Sequence, residues 1–158
     1  MEKILKLTEE QAKELYQKSD NWFKKILEIN FNKKTFCKNF QDAVKSYEDA
    51  CEITGETPID EKSLMNTGCG KSEIAFIKLK TIFKAANVLN DNWEPNWNDS
   101  NQYKYYPWFV WRSSGFRFYD TYYATTTANV GSRLCCGTLK DAEYIGKQFE
   151  ELYNDYYR

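Results

Sequence analysis

Apolar positions in the first part of the chain recur at helical spacing, and from Tyr103 to Cys136 they crowd into aromatic and β-branched runs. The first stripe, Ala12, Leu15, Tyr16, Trp22, Phe23, Ile26 and Leu27, predicts a helix over Glu9–Ile29, with Ser19 interrupting it. Thr8-Glu9-Glu10-Gln11 in front of it is a capping box, in which the Thr8 hydroxyl and the Gln11 amide each satisfy a backbone N–H. A second stripe, Phe40, Ala43, Val44, Tyr47, Ala50 and Cys51, predicts a helix over Phe40–Ile53, opened by Asn39 and closed by Gly55. Glu56–Gly70 reads as loop, with one helical turn near Glu61–Met65. The helix predicted over Glu73–Leu89 is apolar around more than half its circumference. So broad an apolar surface places it at the centre, against the sheet, with Ser72 as its N-cap. After the strands, Leu139, Ala142, Ile145, Phe149, Leu152 and Tyr156 form the buried stripe of a last helix capped by Thr138.

The aromatic stretch reads as two or three antiparallel strands. Ser113-Ser114-Gly115 separates the first two, and Ala128-Asn129-Val130-Gly131 precedes the third. Alternation puts Tyr103, Tyr105, Pro107, Phe109 and Trp111 on one face, with Phe116, Phe118, Asp120, Tyr122 and Ala124 beside them. If that set faces the helices, the opposite face is open and carries Lys104, Arg112, Arg117, Tyr119, Tyr123 and Arg133. Pro107 has no N–H for a ladder, so the first strand is expected at an edge. The fold class is therefore α+β in one domain over 1–158: helices over 1–92, then a loop, about three strands, and a C-terminal helix packed on one face of the sheet.

Charge and composition narrow the function classes. Lysine and arginine total 22 against 23 acids, so bulk charge announces neither a polyanion nor a membrane surface as partner. No apolar run is long enough for a membrane span. The chain has no histidine, which excludes serine–histidine and cysteine–histidine catalysis within it. Five cysteines, an odd number with no CxxC pair and no apolar signal segment ahead of them, read as thiols in a reducing cytoplasm. Vicinal Cys135 and Cys136 read either as a redox or metal pair or, more commonly for neighbouring strand cysteines, as residues on opposite faces with one of them buried. Gly70-Lys71-Ser72 ends like a phosphate-binding loop, but Met65 stands where that motif needs glycine and no strand precedes it. No cofactor is implied.

Trp93-Glu94-Pro95-Asn96-Trp97-Asn98-Asp99-Ser100-Asn101 is a polar loop with two tryptophans, placed either to clamp a ligand or to fold back over the core. With Tyr103-Lys104-Tyr105-Tyr106-Pro107-Trp108-Phe109, with Val130-Gly131-Ser132-Arg133-Leu134-Cys135 and with Ala142-Glu143-Tyr144-Ile145-Gly146-Lys147-Gln148-Phe149, it resembles a family of small proteins encoded by bacteriophages and prophages of gut bacteria. The resemblance covers Trp93–Tyr157 well and the helical part loosely. It implies a setting, the cytoplasm of an infected bacterial cell, and brings no activity or catalytic residue.

Two functions compete on these residues. One is a binding module for a nucleotide or single-stranded nucleic acid, with Arg112, Arg117 and Arg133 for phosphate, Tyr119 and Tyr123 for stacking, and Trp93 and Trp97 flanking. The other is a protein-interaction or structural accessory protein, bound to a host or phage protein or to a second copy through the same aromatics. A carboxylate enzyme built on residues such as Asp99 and Asp120 needs no histidine, but no spacing singles out a pair.

Overall fold

The computed structural model describes residues 6–31, 35–37, 39–128 and 134–158. It is α+β. Eight helices lie among the described residues: α1 (Glu9–Lys18), α2 (Asn21–Asn30), α3 (Phe40–Ala43), α4 (Tyr47–Thr54), α5 (Glu61–Asn66), α6 (Lys71–Leu89), α7 (Leu139–Gln148) and α8 (Glu150–Tyr157). Between α6 and α7 stand two antiparallel strands, β1 (Lys104–Arg112) and β2 (Gly115–Ala124).

Three of the expected helices are each broken into two, and a polar side chain or a demanding contact sits at each break. Glu9–Ile29 divides at Ser19, whose backbone turns extended, because the Asp20 carboxylate accepts from Phe23 N at 2.9 Å and caps a new helix. Phe40–Ile53 divides before Ser46, which forms a capping box with Asp49. Gly55 closes α4 in the left-handed region, φ 71°. The C-terminal helix divides at Phe149, φ −111° and ψ 30°, a buried ring that lies in the core while Glu150 turns toward the sheet. Leu139, expected in the buried stripe, is exposed, and Tyr153 is buried instead.

The capping of α6 also differs from expectation. Gly70 occupies the cap position, and the Ser72 hydroxyl donates to Tyr156 O at 2.7 Å, tying α6 to the last turn of α8. Helix α6 is central, with Leu79, Ile82 and Phe83 fully buried, but its main partners are α4 and α8. The helices against the sheet are α7 and α8. Gly146 makes the close approach of α7 work: a Cβ there would stand 2.4 Å from the Phe118 ring and 2.7 Å from Pro107.

The sheet has two strands among the described residues, not three. Of the third, Cys136 alone pairs, exchanging two 2.9 Å backbone hydrogen bonds with Tyr105. The carbonyl of Cys135 is taken by Asn87 Nδ2 of α6 at 3.0 Å, which turns the chain away from the sheet. Cys135 and Cys136 are both buried, rather than one of them. Residues 129–133, which include Arg133 and most of the expected turn before the third strand, lie outside the described residues.

A bulge decides the faces of the hairpin. Trp108 pairs with Asp120 but Phe109 pairs with Phe118, so Tyr119 is an extra residue. One inserted residue inverts the alternation of β2 relative to β1. Phe116 and Phe118 share the helix-covered face with Pro107 and Phe109, as expected. Asp120, Tyr122 and Ala124 lie on the opposite face, and Tyr123 joins Tyr105 on the helix side.

Gly146→Ala should lower stability by about 1–3 kcal/mol through overpacking against Phe118 and Pro107. Urea denaturation measures it, and an unchanged midpoint would show that α7 does not sit this close to the sheet.

Candidate ligand-binding surface

The open face of the hairpin is confined to its turn-proximal half. There Trp108, Val110 and Arg112 of β1 stand beside Tyr122, Asp120 and Arg117 of β2. Trp108 and Tyr122, 43% and 45% exposed, bring their ring centroids to 5.4 Å at an interplanar angle of 53°. Val110 is half-buried between this aromatic end and the arginine end.

The two arginines are held differently. Arg117 donates through Nη1 to Glu150 Oε1 at 2.9 Å and through Nη2 to Ser114 Oγ at 3.1 Å. The other Glu150 oxygen accepts from Phe118 N at 2.8 Å, so one carboxylate ties the guanidinium to the outer edge of β2. Asn154 continues this cover, accepting from Phe116 N and donating to Phe116 O, each at 2.8 Å. Helix α8 thus satisfies an edge that would otherwise invite another strand. Arg112 is exposed and forms no ion pair among the described residues. A third arginine joins them at the turn: Arg158 lies 5.6 Å from the Trp111 ring centre and donates to Ser114 O at 3.0 Å. Its part was hidden in the sequence because it depends on how far α8 reaches along the hairpin.

The other end of the same face is closed. Lys104 is fully buried, and its Nζ donates to the carbonyls of Asn96, Gln102 and Asp99 at 2.5, 2.8 and 3.1 Å. The Trp97 ring lies over it, 5.4 Å from centroid to ammonium. The Asn/Asp-rich composition makes this arrangement attainable. Asn98 N donates to Asn96 Oδ1 and Asn101 N to Asp99 Oδ1, and these side-chain-closed turns curl the loop. Gln102 clasps it from inside, accepting from Asn96 N at 2.6 Å and donating to Glu94 O at 3.0 Å.

The expected site is therefore divided. Arg112 and Arg117 share the open half. Tyr119 projects at the bulge, 57% exposed. Tyr123 lies at the far end on the helix side, its ring 4.5 Å from that of Tyr103. Trp97 covers Lys104. Trp93 is anchored at the end of α6, its N–H shared between Asn87 O and Asn90 O at 3.0 and 2.9 Å. From Lys104 to Arg112 the strand spans roughly 25 Å, so neither tryptophan flanks the arginines. Trp108 and Tyr122, which pattern alone did not select, take that place.

The cysteine pair is chemically quiet. Burial pushes the Cys135 thiol up to about 11 and raises that of Cys136 well above its ordinary value. Neither supplies a thiolate near neutral pH. Among the described residues no helix is long and apolar enough to cross a membrane. No protein-family model, no curated protein and no solved structure matches the chain.

Lys104→Met keeps the aliphatic stem and removes the charge. It should cost about 1.5–3 kcal/mol, the range for hydrogen bonds from a charged donor, and shift tryptophan emission to the red as Trp97 loses its seat. Unchanged stability and emission would contradict the buried ammonium.

Proposed function

We propose that this protein is a non-catalytic binding module for single-stranded nucleic acid or its nucleotide units, and that the open half of the hairpin receives them. The observation that carries this reading is the strip itself. Two half-exposed rings 5.4 Å apart share one face with an exposed arginine that forms no ion pair among the described residues. Bases stack on such rings for about 1–3 kcal/mol each. Trp108 and Arg112 are separated by about 13 Å of strand, room for a base at one end and backbone phosphate at the other. Asp120 stands directly across from Trp108, so in this reading its carboxylate accepts from a sugar hydroxyl beside the stacked base. An open half-face with aromatic and cationic ends suits a short stretch of chain passing across it.

The electrostatic contribution is small in this reading. Glu150 already holds Arg117, which leaves Arg112 as the principal phosphate contact. Stacking therefore leads, in keeping with a near-neutral chain. The resemblance to phage-encoded proteins supports the bacterial cytoplasm as the place of action.

A second reading, a protein contact, is favoured by the exposed aromatics that continue around the hairpin: Trp111, Tyr119, Tyr123 and Tyr103. Tryptophan, tyrosine and arginine are the residues enriched in interface hot spots.

Fluorescence anisotropy with a short labelled oligonucleotide separates the two. Trp108→Ala should weaken binding about tenfold. The logarithm of affinity should fall with the logarithm of salt at a slope of about −0.7 to −1.4, equivalent to one or two phosphates. Arg112→Ala should flatten that slope by about 0.7. Equal binding by wild type and Trp108→Ala would refute the stacking role. No binding, together with a discrete dimer in sedimentation, would transfer the surface to the second reading.

A further inference from the structure

A groove lies away from the hairpin strip, between the C-terminal half of α6 and the start of the tryptophan loop. It encloses about 520 Å³, within the range of small-ligand sites. Its long wall is α6, where Lys80, Lys84, Asn87 and Val88 follow one another over about 12 Å. Trp93, Glu94 and Pro95 close the far end, and Glu56 stands opposite the lysines.

The two ends differ in chemistry. At the lysine end, Glu56 accepts from Lys84 Nζ at 2.6 Å and from Thr81 Oγ1 at 2.8 Å. Burial pushes the Glu56 carboxyl up, but the hydrogen bonds from Lys84 and Thr81 and the charges of Lys84 and Lys80 outweigh it and hold it below its ordinary value. Glu56 is thus ionised at neutral pH and committed to Lys84 and Thr81. Lys80, half-buried in the same wall, forms no hydrogen bond or ion pair among the described residues. Its charge acts on Glu56, but among the described residues its ammonium has no direct partner.

The loop end is flat and rich in acceptors. The Trp93 ring packs directly on the backbone of Gly137, where a Cβ would stand 2.7 Å from the ring. That contact seats the ring, and the doubly bonded backbone N–H anchors the main chain that carries it, before any ligand arrives. Asn87 is oriented by its Nδ2 bond to Cys135 O, and its Oδ1 is buried with no hydrogen-bond partner among the described residues. A buried acceptor left this way costs about 1–3 kcal/mol, and a small shift of the wall would let it meet a donor. Glu94, exposed at the rim, adds a carboxylate on the same side.

We propose that this groove is a second binding site, for a planar aromatic amine that carries an anionic group. The anion sits at Lys80, the ring lies among Trp93, Val88 and Pro95, and the amine donates toward the acceptors of Asn87 and Glu94. Phosphate-bearing and carboxylate-bearing compounds share this chemistry.

Calorimetric titration with adenosine 5′-monophosphate and with 4-aminobenzoate tests it. At least one should bind with a dissociation constant of about 1 mM or tighter. Binding of the first alone selects a phosphate-bearing, longer ligand, and binding of the second alone a compact carboxylate. Lys80→Gln should weaken binding about tenfold without lowering the melting temperature, and Lys80→Arg should restore most of it. A Trp108→Ala, Arg112→Ala double variant removes any nucleotide binding at the hairpin strip; in that background at least one probe should still bind and Lys80→Gln should still weaken it about tenfold, which separates this site from the strip. No binding of either probe at about 10 mM, full binding by Lys80→Gln in the hairpin double-variant background, or loss of all probe binding in that double variant would overturn the proposal.

Discussion

The buried ammonium of Lys104 governs what the hairpin can present. A charge taken fully out of water is costly unless its donors are all engaged. Here three carbonyls of one short loop engage them, and an indole covers the stem and head. The loop depends on the lysine as much as the lysine depends on the loop, because those carbonyls converge only around a cation. Once closed, the loop covers one half of the sheet face, with Tyr106 and Ala124 buried at that end, and leaves the other half open. The position of the open strip follows from this closure.

Local chemistry was legible where it is local. The caps at Thr8, Asn39 and Thr138, the stop at Gly55, and the turn at Ser113–Ser114 all act within a few residues and stand where the sequence placed them. Helix breaks at Asp20 and Ser46 carried the same kind of signal, an N-cap residue followed by suitable partners, but a continuous apolar stripe masked it. The bulge at Tyr119 has no such mark. It exists because β1 and β2 pair out of step around Trp108 and Phe109, a tertiary event, and it moves every later side chain of β2 to the other face. That single inserted residue separates Tyr123 from Arg117. Lys104 was illegible for a related reason: strand alternation put it on the open face correctly, yet nothing in the pattern announced the loop that buries it.

Two separate features of the molecule then share a physical style. Each pairs an aromatic surface with one cation that has no direct partner among the described residues while its neighbour is paired: Arg112 beside the Arg117–Glu150 pair, and Lys80 beside the Lys84–Glu56 pair. The committed pairs hold the walls, and the remaining charges face outward. A chain with almost no net charge can in this way offer local cation sites without long-range attraction for polyanions.

The most direct test of the Lys104 partition is a two-dimensional NMR titration that follows the five tryptophan indole N–H signals as a short single-stranded oligonucleotide is added. The account predicts that the Trp108 signal moves progressively with occupancy while that of Trp97, seated on the buried lysine, stays in place. A shift at Trp97 with Trp108 unmoved would mean that the loop opens to bind, and that the open half of the hairpin is not the recognition surface.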